Sequence, residues 1–373
     1  MYIKGVGMTK FGAQTNPSQE LVYEAVMESL SDANIGIEDI DAISVSCIDT
    51  ESNGERQRLF SGILSSVLKK KIPILSPTAV CGGGGAALWT ANKLNHDNVL
   101  VIGVERLMSN NSSVTTDEIL MAAERIYEQT EGLNFPAQNA LVAQQYMQKY
   151  GATMDDLALV AFKNHQNAFL NPKARFYNKQ VTLKQIRKSP VVASPLRLFD
   201  CSLSVNGAAA VILSKQQTDI EIVGSSLYVD RLPAFESDDM TSWEASKLAS
   251  QDAYQQAQIT PNDLNIAELH DAFTSVELIS YEDLGFCNKG EAKNLIRKGH
   301  TSLNGKLPVN TSGGLKAKGH PISATGVSQI YELVKQMRNQ ADKRQVDNIK
   351  YALAQNVGGA GSTVTVHVLK KGG

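Results

Sequence analysis

Apolar residues at Leu21, Val22, Ala25, Val26, Leu30 and Ala33 recur in steps of three and four, so residues 19–33 read as an amphipathic helix. Residues 43–47, Ile-Ser-Val-Ser-Cys, have the length and β-branching of a strand. Residues 98–104, Asn-Val-Leu-Val-Ile-Gly-Val, read as a strand buried on both faces. A short strand at 72–75 leads through a loop into a helix that starts near Cys81 and runs to about Leu94. Later in the chain a helix passing through Ile330 and Leu333 precedes a strand at 351–355. Helix and strand signals that alternate in this way predict an α/β sheet protein.

Part of this order occurs twice. Ala25, Ala33, Ile35, Asp39, Ile40 and Asp41 return at one constant offset as Ala249, Ala257, Ile259, Asp263, Leu264 and Asn265. Each copy reads helix, Ile-x-x-x-Asp turn, strand. A looser echo relates the helix after Cys81 and its strand to the helix after His320 and its strand. Chance recurrence of common helix and turn residues is the competing reading, but a duplicated α/β unit accounts for both echoes. The halves are drawn at 1–215 and 216–373. Because the offset exceeds half the chain, the first half must carry an insertion, placed at about 109–195. The insertion begins polar and helical at 116–127. It then turns basic: residues 157–199 hold no Asp or Glu, whereas Lys163, Lys173, Arg175, Lys179, Lys184, Arg187, Lys188 and Arg197 all fall there. Such a run is either a solvated face or an electropositive mouth for a phosphorylated ligand.

Composition narrows the class. A chain of 373 residues exceeds one simple core, in keeping with duplication. Its hydrophobic share of 42% and charged share of 20% are those of a globular protein. A net charge of −2, with few aromatics and no stacking pattern, argues against nucleic acid as the partner. Apolar runs are strand-sized, so no membrane span is expected, and residues 1–11 lack the apolar core of a signal peptide. Cys47, Cys81, Cys201 and Cys287 are scattered without a Cys-x-x-Cys pair. That spacing supports neither a disulfide framework nor a thiolate metal site, and a reduced cytoplasmic protein is expected.

Three segments carry candidate chemistry. In the first, Cys81 precedes Gly82-Gly83-Gly84-Gly85-Ala86-Ala87 at a helix start. The helix dipole there should lower the thiol pKa, and small neighbours leave backbone N–H groups free as oxyanion donors. A buried structural cysteine beside a tight turn would look the same in isolation. The glycines also fit the G-x-G-x-x-A pattern of a dinucleotide site with Glu105 as its acid, although a run of four satisfies that pattern trivially. The second segment runs from Asn310-Thr311-Ser312-Gly313-Gly314 to Gly319-His320-Pro321. Its flanking Gly and Pro make a mid-helix position unsuitable and expose an imidazole able to take a thiol proton. The third, Glu268-Leu269-His270-Asp271-Ala272-Phe273, stands at a strand end where catalytic groups gather, or holds a merely packed histidine.

Taken together these segments resemble the thiolase superfamily over nearly the whole chain. The order is the Cys81 loop, the basic insertion, Asp200-Cys201-Ser202 with Asn206-Gly207-Ala208-Ala209-Ala210, His270-Asp271-Ala272-Phe273, Gly319-His320-Pro321, then Asn356-Val357-Gly358-Gly359. The His-Asp-x-Phe form is similar to that of the sterol-carrier-protein and archaeal acetyl-CoA acetyltransferase branch. The resemblance implies a five-layer αβαβα fold of two similar halves with an inserted loop domain. It assigns Cys81 as nucleophile, His320 as its base, His270 to one oxyanion hole with His320, and Gly358 to a second. Lys173, Arg175, Ser312 and Gly313 are assigned to substrate binding. Coenzyme A thioesters are the implied substrates, with no bound cofactor or metal. The implied partners are a second copy of the chain in a dimer or tetramer, a small zinc-ribbon/OB-fold accessory protein and HMG-CoA synthase.

This chain departs from the family at the second cysteine. Ordinary thiolases carry it in a Cys-x-Gly motif, where Asn356 stands here, and the sterol-carrier branch carries it where Ala272 stands. Ser323 likewise replaces a glycine of the histidine loop. The expected activity is acetyl-CoA C-acetyltransferase, with His320 serving both thiol and α-carbon and assisted by His270. A decarboxylating ketoacyl-synthase-like condensation and a non-catalytic acyl-CoA-binding subunit are the alternatives.

Overall fold

The structure is a computed structural model that describes residues 1–48, 55, 57–108 and 112–372. The first half runs β1 (Tyr2–Met8), α1 (Ser18–Ala33), β2 (Ala42–Ser46), α2 (Phe60–Val67), β3 (Ile74–Leu75), α3 (Gly83–Lys93) and β4 (Asn98–Arg106). The chain then leaves the sheet for α4 (Ser112–Leu120), α5 (Phe135–Tyr150), α6 (Met154–Phe169), α7 (Leu183–Arg187) and the hairpin β5 (Val191–Ala193) with β6 (Leu196–Arg197). It returns as β7 (Asn206–Ser214). The second half runs β8 (Ile220–Val229), α8 (Glu244–Ala257), β9 (Ile266–Glu268), α9 (Thr274–Asp283), α10 (Ala292–Arg297), α11 (Thr325–Met337), β10 (Tyr351–Gly358) and β11 (Thr363–Lys371).

The strands line up as β3-β2-β4-β7-β1-β8-β11-β10-β9. A single pair, Tyr2 opposite Glu221, joins β1 to β8 and hinges two half-sheets of the same plan. In the first, β2 runs parallel to β3 and β4, while β7 is antiparallel to β4 and β1. In the second, β9 is parallel to β10, and β11 is antiparallel to β10 and β8. A parallel bridge from Ala267 to Val309 stands where β3 stands in the first.

Side-chain alternation along the strands produces the layers. Leu100, Ile102 and Val104 of β4 face outward onto Leu21, Val22, Ala25 and Val26 of α1. Val99 and Val101 face inward onto Ala87, Leu88 and Ala91 of α3 and Val327, Ile330 and Leu333 of α11. The far half-sheet presents Val364, Val366 and Val368 of β11 to Ala245, Ala249 and Ala253 of α8. The sequence of layers is therefore α1, sheet, α3 with α11, sheet, α8: the five-layer αβαβα arrangement.

The repeated sequence marks repeated caps. α1 ends on Asn34 with φ 53° and α8 on Gln258 with φ 55°, left-handed positions that bond back to the last helical carbonyls. A 3₁₀ turn follows each, Ile37–Asp39 and Pro261–Asp263. In both turns the aspartate accepts the leading backbone N–H, from Gly36 at 3.0 Å and from Thr260 at 2.8 Å.

The insertion departs from its expected form in two ways. Its predicted start at Ser109 lies outside the described residues. The helix expected at 116–127 is two pieces, because the Glu124 carboxylate accepts the Ile126 and Tyr127 N–H groups and begins a separate turn, Arg125–Gln129. Part of the basic run is neutralised by acids lying outside it: Lys163 pairs with Glu277, Lys173 with Glu28 and Arg187 with Asp155. Among the described residues no helix is long and apolar enough to cross a membrane.

The glycine run after Cys81 is explained by packing. A β-carbon on Gly84 would come within 2.7 Å of the Ser323 carbonyl oxygen and 2.9 Å of the Gly326 nitrogen, both backbone atoms at the start of α11. Gly84→Ala should therefore destabilise the protein by about 1–3 kcal/mol, as overpacked cores do. Gly62→Ala on exposed α2, where the nearest atom is 3.6 Å away, should gain about 0.5–1 kcal/mol from helix propensity. Urea denaturation of the two variants checks the pair, and equal effects would exclude the close approach.

Candidate active site

Cys81 sits in the 3₁₀ turn Val80–Gly82 that feeds directly into α3. Val80 before it has φ +47°, a left-handed conformation that a β-branched residue takes only when its surroundings impose it. The Gly82 N–H closes the turn on the Ala79 carbonyl at 2.8 Å. This geometry presents half-buried Cys81 to a cavity of ≈ 200 Å³. Its apolar wall includes Leu107, Phe135, Trp243, Phe273, Val276 and Ile322, and both His270 and His320 line it.

The expectation of a thiol activated by the helix start is corrected here. Burial, and secondarily the Glu105 charge, push the Cys81 thiol up to about 12, while backbone N–H groups of Gly359 and of Cys81 itself pull it down. Desolvation outweighs the dipole, so Cys81 rests as a thiol. The Glu105 carboxylate, fully buried on β4, accepts the Ser323 hydroxyl at 2.8 Å and the Ile48 N–H at 3.1 Å. It is thus a buried acid whose charge acts on the Cys81 thiol. With the glycines packed against α11 and β10, the dinucleotide reading of this segment has no open loop to rest on.

His320 is delivered by a loop held from below. Gly319 has φ +118°, a glycine conformation, with Val205 filling the side where a β-carbon would point. The His320 N–H donates to the Leu203 carbonyl at 2.8 Å, and its Nδ1 lies 2.7 Å from the Thr325 hydroxyl at the start of α11. Burial holds the imidazole down at about 3. His270 follows β9; its Nδ1 is 3.1 Å from the side-chain amide nitrogen of Asn356. Burial, then the neighbouring His320, keep it well below the usual histidine range. The two rings meet edge to face with centroids 5.3 Å apart. Both are neutral, and a neutral imidazole is what can accept a proton from a thiol.

Asp271 explains why the His-Asp pair and the histidine loop go together. Its carboxylate accepts the Leu315 N–H at 2.7 Å, the Lys316 N–H at 3.2 Å and the Asn164 amide at 2.8 Å. Burial and then the Glu277 charge push it up to about 7. One residue of the pair enters the cavity while the next clamps the loop that carries His320.

The other expected site residues fall as follows. Gly358 ends β10 against Ala79 and Gly82 and is not part of the cavity wall; the N–H beside the Cys81 sulfur belongs to Gly359, one residue on. Ser312 is buried away from the cavity, its hydroxyl donating to Glu268 at 2.5 Å, and Gly313 turns the loop at φ +101° against Ala168. Both shape the loop rather than line the site. Lys173 bonds the Met8 carbonyl and Glu28 at 2.8 Å, tying the insertion to β1 and α1. Arg175 is half-buried, and with Lys10 its charge holds Lys179 down after partial desolvation, which marks a basic cluster outside the cavity wall. Cys201 does line the cavity, but its thiol donates to the Arg197 carbonyl at 3.5 Å, and burial pushes it up to about 11. The sequence offers Glu105 only as the acid of a dinucleotide pattern and gives Thr325 and Gly359 no separate role, because no motif distinguishes a buried acid, a helix-start threonine or one glycine of a pair.

Comparison with known proteins establishes the family of the chain. A thiolase N-terminal domain profile matches residues 1–217 and a thiolase C-terminal domain-like profile matches 228–371. The chain belongs to the thiolase family. It is 36% identical to an acetyl-CoA acetyltransferase of Methanothermobacter thermautotrophicus, over 98% of each chain. Identity to human sterol carrier protein 2 is 32%, covering the whole of this chain and 72% of that protein. Among solved structures, the Ltp2-ChsH2(DUF35) aldolase superposes with TM-score 0.81 at 26% identity, over 99% of this thiolase-family chain and 97% of the other.

Two expectations follow from the electrostatics. Because both histidines stay neutral until well below pH 6, kcat/KM should show no ionisation near 6.5, and its acid limb should fall below about pH 5. An acid limb at pH 6–7 would show His320 to be less desolvated than the structure makes it. Glu105→Gln removes the negative charge, lowers the thiol pKa and should speed iodoacetamide labelling of Cys81 at pH 8 several-fold, read by intact mass. An unchanged rate would show that the carboxylate does not act on the sulfur.

Proposed function

We propose that this protein transfers acyl groups between coenzyme A thioesters through an acyl-Cys81 intermediate, acting as an acetyl-CoA C-acetyltransferase. The observation that carries this reading is that Cys81, His320 and His270 line one cavity, with the Gly359 and Cys81 N–H groups at the sulfur. In the first half-reaction His320 takes the Cys81 proton and the thiolate attacks the thioester carbonyl. The tetrahedral oxyanion sits at the N–H groups of Cys81 and Gly359, each such donor contributing about 3 kcal/mol in comparable sites. Collapse expels the coenzyme A thiolate, which takes the proton back from His320.

In the second half-reaction a fresh acetyl thioester binds and His320 removes its α-proton, while His270 donates to the enolate oxygen. The enolate carbon attacks the acyl-Cys81 carbonyl. The released Cys81 thiolate then recovers its proton from His320, and the site is reset. One proton carrier therefore serves both steps, and Cys201, whose thiol is bonded elsewhere, serves as wall. The cluster of Lys10, Arg175 and Lys179 suits the phosphates of coenzyme A at the rim of the insertion. An accessory subunit is supported by the two-component name of the aldolase relative; a homo-oligomer and association with HMG-CoA synthase are further parts of this proposal.

Incubation with acetyl-CoA alone should add one acetyl group to Cys81 by intact mass. Cys81→Ala should abolish the adduct, and His320→Ala should slow both acylation and condensation by about 10²-fold or more. Absence of an adduct on the wild type would support a binding subunit instead. Condensation that requires malonyl-CoA would support the decarboxylating reaction.

A further inference from the structure

Asn356 stands on β10 where ordinary thiolases carry a cysteine, and it is 1% exposed. Its side-chain oxygen accepts the Gly85 N–H at 3.0 Å, in the first turn of α3. Its nitrogen donates to the Cys81 carbonyl at 2.9 Å. A backbone N–H can only donate and a carbonyl can only accept, so these two partners fix which end of the amide is oxygen and which is nitrogen. The same nitrogen faces His270 Nδ1 at 3.1 Å. Nδ1 must then be the acceptor, and a neutral imidazole has only one N–H, so the proton resides on Nε2. With the proton on Nδ1, two N–H donors would oppose each other at 3.1 Å in a buried site.

We propose that Asn356 is a positioning residue that locks His270 as its Nε2–H tautomer, making His270 a permanent hydrogen-bond donor in the cavity and leaving all proton transfer to His320. The two histidines differ through these neighbours. Nδ1 of His320 faces the Thr325 hydroxyl, a group that both donates and accepts, so His320 can be neutral or protonated without losing its partner. Nδ1 of His270 faces an amide nitrogen that only donates, so a base there is excluded. The amide also binds the nucleophile's own carbonyl and helix, so donor and nucleophile keep one spacing through the reaction. The division of labour rests on the acyl-transfer reading; the tautomer itself does not.

The test is a ¹⁵N spectrum of the full-length protein labelled at histidine, with His270 assigned by its loss in His270→Gln. The expected signature is an unprotonated, imine-type Nδ1 and a protonated, pyrrole-type Nε2. A proton on Nδ1 in the wild type overturns the proposal. In Asn356→Asp, nearly isosteric but unable to donate, His270 should gain a proton on Nδ1, and condensation kcat should fall about 10²–10³-fold with KM little changed. A folded Asn356→Asp protein with the wild-type spectrum and kcat would show packing alone and also overturns it. If this variant does not fold, the wild-type spectrum decides. A wild type that carries Nε2–H but neither acylates nor condenses acetyl-CoA would leave the clamp standing and remove the acyl-transfer reading.

Discussion

Everything at the site depends on how closely the first turns of α3 and α11 approach each other between the two sheets. Gly84 and Gly326 have no side chains at that contact, and their backbones meet at distances that a β-carbon would forbid. Each helix is preceded by a 3₁₀ turn, Val80–Gly82 in one half and Ile322–Ala324 in the other. The duplication therefore brings two helix starts to one place, with Cys81 just before the first and His320 just before the second. A larger residue at either glycine would separate Cys81 from His320, whatever chemistry each retained.

Desolvation is the other force that shapes the site. His270 and His320 are buried and Cys81 half-buried, and desolvation is the first cause of the shift at each, toward thiol in one case and neutral imidazole in the others. A resting thiol beside a neutral imidazole is unreactive until an electrophile arrives. The loop bearing His320 is itself polar, and its backbone and Ser312 are satisfied by Glu268 and Asp271 at the end of β9. Those acids are buried because they have loop N–H and hydroxyl groups to bond, and the loop is ordered because the acids are there.

Much of this could be read in the residues. The offset repeat from Ala25 to Asp41 and Ala249 to Asn265 coincides with identical left-handed caps and aspartate-closed turns, since caps and tight turns depend on few, specific residue types. Cys81, His270 and His320 were visible as short motifs flanked by glycine and proline. Ser312 and Gly313 were misplaced as substrate contacts because a polar, glycine-rich loop looks the same whether it faces a ligand or a buried carboxylate. The N–H at the Cys81 sulfur is that of Gly359 and not of Gly358, because the turn that closes β10 decides which N–H reaches the sulfur.

By itself, the sequence determined the element order, the duplication and the three side chains, Cys81, His270 and His320, that the fold brings to one cavity, all of which rest on local pattern. Only the tertiary structure decided their protonation, because burial and the distant Glu105 charge act through space and override the local dipole at Cys81. It alone decided the meaning of Asn356, which the chain presents as a missing cysteine. Folded, the amide reaches Cys81 and Gly85 across 275 and 271 positions and His270 across 86, and its directionality sets which nitrogen of a histidine holds the proton.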